Sequence, residues 1–410
     1  MADPYADLWT HPRLTAPLAD EDWGAVFRAY RRLTGTSQTK LGERVGLAQS
    51  DVSEIERGHR RVTSVEVRQR IVTGLGIPDG PGPSALPVPG LALPGIVPDE
   101  DLWARVTLTV EGARRVDAAT LDWLDRLLAE HRKAEDFIGS RPMDDVTHRQ
   151  LHVVVDLYAG ARGPLERRLV RLASEYAQFL AWLAQDQGRT AAALAWYDRS
   201  HDWALEAGDA GMAATTLSMK AHLAWSGGRG ARCVALARAA RWAGPKTSPG
   251  VRGMAAQMEA RGHALTGNAR AAHRLLDEAQ ALVGTAARHP EDEPPWMYFY
   301  DETWFTLQRG MAALHLCEWG TAAELITSGL AALPDDYRRD KAWYRACLAH
   351  ALAGAGEAEG ALRVAQRCLP DASAVGRPHA WDELHVTAAA LLRRGAREGR
   401  RLSDALRDRD

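Results

Sequence analysis

Near the start of the chain, apolar side chains recur at steps of three and four residues in four short runs. Val26, Phe27, Tyr30 and Leu33 form the first, Leu41 and Val45 the second, and Val52 and Ile55 the third. Val65, Val67, Ile71, Val72 and Leu75 form the fourth. This spacing puts each set on one face of an α-helix. Acidic residues at Asp20-Glu21-Asp22 suit the positive end of the helix that follows them. From Asp99 onward almost the whole chain reads as helix, from Leu121, Leu124, Leu127 and Leu128 to a final capping helix over 381–394 with Leu384, Ala388, Leu391 and Leu392. The pattern predicts an all-α protein.

The second and third runs lie very close together. Gly46 permits the left-handed backbone that ends one helix, and after Leu47 a second begins near Gln49 and stops at Gly58. With Val52 and Ile55 turned inward, Gln49, Ser50, Ser53 and Glu54 are expected on the outward face. Gln38 opens the preceding helix with Lys40 one turn in, and Arg57, Arg60 and Arg61 cluster beyond the second. A short helix that is polar at its start and basic past its end has the geometry for lying in a DNA major groove. The stretch resembles the XRE-type, lambda-repressor-like DNA-binding domain in Gln38, Gly46-Leu47, Val52-Ser53 and Ile55-Glu56-Arg57-Gly58, and the likeness covers about residues 20–77. It implies that Gln49 and Ser50 meet base edges, that Gln38, Arg57, Arg60 and Arg61 hold phosphates, and that Lys40, Ser53 and Glu54 belong to the same DNA-binding surface. Asp51 and Glu54 depart from the family pattern, because carboxylates repel phosphates, although a glutamate can accept from a cytosine amino group.

Residues 78–98 hold seven prolines and four glycines, which excludes helix and central strand. We read 78–100 as a linker between an N-terminal module, 1–77, and a helical body, 101–410. In the semi-extended state it reaches on the order of 60 Å at about 3 Å per residue. The alternative is an ordered strap packed through Leu86, Val88, Leu91, Leu93 and Ile96.

A repeat runs through the body. Gly188, Gly228, Gly267, Cys317 and Gly356 mark turns spaced by 40, 39, 50 and 39 residues. Seven residues before each stands Ala181, Ala221, Ala260, Gly310 or Ala349. Five after stands Ala193, Cys233, Ala272, Ala322 or Ala361, and twelve after stands Ser200, Ala240, Ala279, Gly329 or Cys368. Paired helices approach closely only where side chains are small, so constant offsets of this kind mark helix crossings. The pattern resembles the tetratricopeptide repeat, with longer units and without its regular early aromatic residue; five repeats are expected over 165–370 with flanking helices. The resemblance implies a superhelix whose groove is walled by the first helix of each pair. The positions expected to face it include Gln178, Trp182, Ser218, His222, Trp225, Gln257, Arg261 and Trp304. Indoles, amides and one arginine suit a ligand with apolar groups and a carboxylate. The 50-residue interval carries an insertion, 289–301, ending in Trp296, Tyr298 and Tyr300, placed to act as a lid.

Charge and cysteine usage narrow the classes. The net charge of −2 excludes a general nucleic-acid coater, but Arg28 to Arg70 holds ten Lys/Arg against five Asp/Glu. Cys233, Cys317, Cys347 and Cys368 form no Cys-x-x-Cys pair and read as small core residues of a reducing, cytoplasmic compartment. There is no apolar run of membrane length and no signal segment. The acidic pairs Asp144-Asp145 and Asp335-Asp336 read as loop residues, and His148 and His152 lack a third metal ligand. Neither a catalytic motif nor a cofactor motif is present, so no enzyme and no cofactor is expected. The whole layout resembles bacterial peptide-sensing regulators, which implies a homodimer on a pseudo-palindromic operator with a peptide, small molecule or protein in the repeat groove. The alternative is an adaptor that grips another protein, with DNA binding secondary.

Overall fold

The computed structural model describes residues 8–19, 22–60, 62, 65–77, 116–242, 247–334, 337–375 and 378–407, which are helical with no strand among them. The chain divides into two compact units, Met1–Ala92 and Leu93–Asp410. The proline-rich segment 78–100, Arg61 and Asp335-Asp336 lie outside the described residues.

The N-terminal unit holds α1 (Pro12–Ala19), α2 (Trp23–Thr34), α3 (Gln38–Val45), α4 (Gln49–Glu56) and α5 (Val65–Leu75). Two of its helices are opened by side chains: Asp22 accepts from the Ala25 amide at 2.9 Å and Ser37 from the Lys40 amide at 3.2 Å. These bonds satisfy donors that a helix start leaves free. Gly46 takes the expected left-handed conformation, φ 65°, and α4 begins three residues later. The predicted apolar positions Val26, Phe27, Tyr30, Leu41, Val45, Val52, Ile55, Ile71 and Leu75 meet in one core.

The second unit is a stack of helix pairs. They are α6 (Ala118–Ile138) with α7 (Ser140–Gly160), α8 (Pro164–Asp186) with α9 (Thr190–Ala207), and α10 (Ala210–Ser226) with α11 (Gly230–Arg241). Then come α12 (Pro249–Leu265) with α13 (Ala269–Arg288), α14 (Glu302–His315) with α15 (Trp319–Ala332), and α16 (Arg338–Ala355) with α17 (Ala358–Val375). Last are α18 (Pro378–Arg393) and α19 (Arg397–Arg407). Every one of the five turn markers has positive φ: 74°, 70°, 74° and 91° at Gly188, Gly228, Gly267 and Gly356, and 59° at Cys317. All fifteen small residues at the fixed offsets are buried. At Gly310 a Cβ would come within 2.7 Å of Ile326 Cγ1 and 3.2 Å of the Ile326 backbone nitrogen. The helices have closed to a distance that only glycine allows.

Three expectations need correction. The expected last capping helix is one half of a further pair, because Gly395 (φ 71°) turns the chain and Leu402 and Leu406 of α19 pack back into the core. Asp144 and Asp145 are in α7, not a loop, and Asp144 pairs with Arg189 at 2.6 Å. Cys317 is exposed at its turn and is no core residue; Cys233, Cys347 and Cys368 are buried, and none of the four is in a disulfide. Among the described residues, no helix is long and apolar enough to cross a membrane.

The turns generate opposite expectations for two substitutions. Cys317 is the one non-glycine residue with positive φ among those described, and this conformation costs an L-residue about 1–2 kcal/mol. Cys317→Gly should therefore raise stability by about 1 kcal/mol once the unfolded-state entropy of glycine is set against it. Gly310→Ala should lower it by about 1–2 kcal/mol, because overpacking at the crossing exceeds the helix-propensity gain. Urea denaturation of both variants checks the pair of signs.

Candidate functional site

On the N-terminal unit, the residues expected to meet DNA gather on α3 and α4. Gln49, Ser50, Glu54, Arg57, Arg60 and Lys40 are exposed, and Gln38 is half-buried. Ser53 is not on this surface. It is 7% exposed, and Arg57 folds back to donate to its hydroxyl. At 100° per residue, Ser53 lies about 60° from Glu56 around α4, and Glu56 points into the core with Val52 and Ile55. The inward arc of this short helix is wider than its two apolar residues suggested.

Glu56 is the anchor of the surface. Its carboxylate accepts from Arg31 at 2.9 and 3.0 Å and from the Gln38 amide at 2.7 Å, and Arg28 donates to its backbone carbonyl. Gln38 in turn accepts from the Gln49 amide at 2.8 Å. A buried carboxylate thus fixes the first residue of α4 through one intervening glutamine. Gln38, expected on a phosphate, is instead committed at both ends of its amide. Asp51, the acidic departure from the family pattern, pairs with Arg60, which removes most of its repulsion toward a phosphate.

Residues 22–81 match a family model described as a helix-turn-helix domain. The N-terminal unit carries a helix-turn-helix DNA-binding domain. No curated protein matches the chain.

The stack encloses a cavity of about 320 Å³. Its walls come largely from the first helix of successive pairs: Gln178 and Trp182 on α8, Thr215, Met219 and His222 on α10, Met254, Gln257 and Arg261 on α12, Trp304 and Gln308 on α14, and Trp343 and Tyr344 on α16. Six of the eight positions expected to face a ligand are among them. Trp225 instead lines a smaller adjoining cavity of about 160 Å³, with Trp182 and His222. Ser218 is fully buried and lines neither. Both follow a cavity-lining residue, Thr215 or His222, by three positions, which turns them about 60° toward a flank of α10. On that flank Arg261 of α12 covers Trp225, its guanidinium carbon 3.3 Å from the ring centre.

The insertion is built into this cavity. Trp296 and Tyr298 line it, while Tyr300 is buried beside Trp304 with ring centres 4.9 Å apart. The Trp296 indole donates to Thr215 Oγ1 at 3.1 Å, and the Tyr298 hydroxyl donates to Asp136 at 2.6 Å. A segment held by buried hydrogen bonds to α10 and α6 is a wall as well as a lid.

The other wall escaped the sequence reading. Arg132, Glu135 and Asp136 of α6 line the cavity and meet Arg339 of α16, some two hundred residues further on. Arg339 pairs with Glu135 and, at 3.0 Å, with Asp136; Trp182 donates to Glu135 at 3.1 Å; Arg132 reaches Glu175 at 3.3 Å and Gln178 at 3.2 Å. A signal was present. Arg132 and Glu135 fall four and seven residues after Leu128, so they continue the apolar stripe of Leu121, Leu124 and Leu128 with charges. Charged residues in an apolar stripe face something polar inside.

Burial pushes the Asp136 carboxyl up to about 6, against the pull of Arg339 and the hydrogen bond from Tyr298. Arg339 also loses solvent, but Glu135, Asp340, Asp186 and Asp136 together raise its pKa and keep it charged. The two directions are compatible, since one guanidinium is shared among several carboxylates and each feels only part of its field. Among the described residues, the one group of histidine, cysteine and acidic side chains close enough for a metal ion is His289, Glu291 and Asp292, all exposed.

The raised Asp136 carboxyl has a defined sign. Its folded pKa lies above the unfolded value, so the folded state binds the extra proton between about pH 4 and 6. This group's contribution to stability falls as pH rises through that window, by on the order of 2 kcal/mol. Asp136→Asn keeps an acceptor for Arg339 and Tyr298 and should flatten that slope. Denaturation midpoints of wild type and variant from pH 4 to 7 give the comparison; parallel curves would contradict it.

Proposed function

We propose that this protein is a sequence-specific transcriptional regulator of the XRE type, whose tetratricopeptide-like stack senses a small molecule or peptide. The observation that carries this reading is the pairing, in one chain, of a helix-turn-helix domain with a stack that encloses an aromatic, polar-lined cavity. Concave sites of about this size, largely apolar with few placed polar groups, are what ligand pockets look like. The turn markers with positive φ and the buried small residues at fixed offsets support the tetratricopeptide-like assignment, and the anchored Gln49 supports base readout.

Gln49 and Ser50 are assigned to base edges, and Lys40, Arg57 and Arg60 to phosphates. Arg61 shares the phosphate role by its place in the sequence. The module covers one half-site, so two copies of the chain are assigned to a pseudo-palindromic operator about one helical turn between centres. Coupling needs no contact between cavity and DNA. A ligand with higher affinity for one arrangement of the stack shifts its population, and the presentation of the two DNA-binding modules shifts with it.

Genomic footprinting of the tagged protein tests the reading directly, with protection of a short inverted repeat expected. A protein that ignores DNA and co-purifies with another regulatory protein would replace it with the adaptor reading. On the mapped operator, Gln49→Ala should relax sequence preference by about 1–3 kcal/mol per lost base contact. Lys40→Ala should weaken all DNA alike and reduce the logarithmic salt slope by about 0.9. Equilibrium binding at several salt concentrations separates the two effects. Sedimentation should show a species of twice the 44.8 kDa chain mass, at least on DNA; a monomer in both states would remove the dimer.

A further inference from the structure

Arg261 is an anomaly in this molecule. It is 4% exposed and lines the larger cavity, yet none of the ion pairs among the described residues includes it. The other buried arginines of the cavity, Arg132 and Arg339, each have carboxylate partners. Arg261 has only the Gln308 amide oxygen at 2.9 Å and the face of Trp225, and its Nε has no partner. Next to it the fully buried Gln257 leaves its Oε1 unpartnered while its amide reaches Gln308 at 3.3 Å. Burial with no nearby carboxylate pushes the Arg261 guanidinium down to about 10. A buried charge without an opposite charge beside it is destabilising, so its place in a cavity wall calls for an anion that arrives from outside.

We propose that the cavity binds a small monoanionic carboxylic acid with an apolar, aromatic or aliphatic body, its carboxylate on Arg261 and its body among Met254, Trp296 and Trp304. The proposal rests on the sensory reading of the stack and names the ligand class. A guanidinium supplies parallel N–H donors that match a carboxylate. The Gln257 oxygen beside it is placed to accept a hydrogen bond from a hydroxyl or amide N–H on the same molecule. A dianionic phosphate fits less well, because Glu135, Asp136, Asp301 and Asp340 also line this space and one uncompensated cation balances one negative charge. A long peptide fits less well too, because Trp296 and Tyr298 are tied across the opening to α10 and α6.

The test uses the full-length protein and matched probes: 3-phenylpropionate, indole-3-acetate and octanoate, each beside its primary amide. Calorimetry and tryptophan fluorescence should show at least one acid bound at least tenfold more tightly than its amide. Arg261→Gln should lose that preference, and Met254→Trp, which fills the cavity and leaves Arg261 in place, should abolish binding. Arg261→Met should unfold at the same temperature as ligand-free wild type or higher, since it removes an uncompensated buried charge, and should lose the stabilisation by the acid. Failure of every acid to bind, equal binding of acid and amide, acid binding undiminished in Arg261→Gln, or a lowered unfolding temperature for Arg261→Met would each overturn the proposal. An acid bound through Arg261 with no effect on operator affinity would support the site and overturn the sensory reading. Intact operator binding with no acid bound would overturn the site and leave the DNA-binding half of the reading standing.

Discussion

The second unit depends on how closely the two helices of each pair can approach. Alanine, glycine, serine and cysteine at three offsets around each turn let the backbones come together, and all fifteen of these side chains are buried. This contact consumes one face of each helix with side chains that contribute little bulk. The large residues are therefore free to stand on the other face of the first helix, where Trp182, Met254, Trp304 and Trp343 line the cavity. Close packing in one direction creates the enclosed volume in the other. The constraint reaches to single atoms, as the 2.7 Å gap left for a Cβ at Gly310 shows. Packing this tight has few ways to yield gradually, so rearrangement of such a stack runs between discrete arrangements.

Across the cavity, closure is electrostatic. Arg339 reaches Glu135 and Asp136 over two hundred residues of chain, and Tyr298 of the insertion joins the same carboxylate from a third direction. Ion pairs taken out of water add little net stability, because desolvation offsets most of the Coulomb attraction. Their effect is on register: α6 and α16 can meet only where the forks and carboxylates match. Arg261 departs from this arrangement. A network that pairs its other buried arginines and leaves this one at the cavity wall would give the proposed carboxylate a preformed donor.

The DNA-binding surface follows a parallel design at smaller scale. Glu56 is buried, gathers Arg31 and Gln38, and through Gln38 sets Gln49 at the exposed start of α4. Asp51 is offset by Arg60, which leaves Glu54 as the exposed acidic group of α4.

Periodicity and turn chemistry alone determined most of the helices of both units, the all-α class, the left-handed turn at Gly46 and the repeat register, because these depend on local backbone sterics and on which side chains are small. Six of the eight expected cavity residues were legible for the same reason: once the helix register is known, the phase of each side chain follows. Tertiary structure decided the rest. Ser53 reads as a surface residue until the buried arc of α4 is seen to include Glu56, and Ser218 and Trp225 sit one helical step too far round to reach the larger cavity. The pairing of Arg339 with Glu135 and Asp136 joins positions with no local relation, as does the tie from Trp296 to Thr215. Whether a buried charge finds a partner depends on what distant segments bring to it. For Arg132 and Arg339 the fold brought carboxylates; for Arg261 it brought a glutamine, an indole face and open volume, and no local pattern in the sequence distinguishes the three.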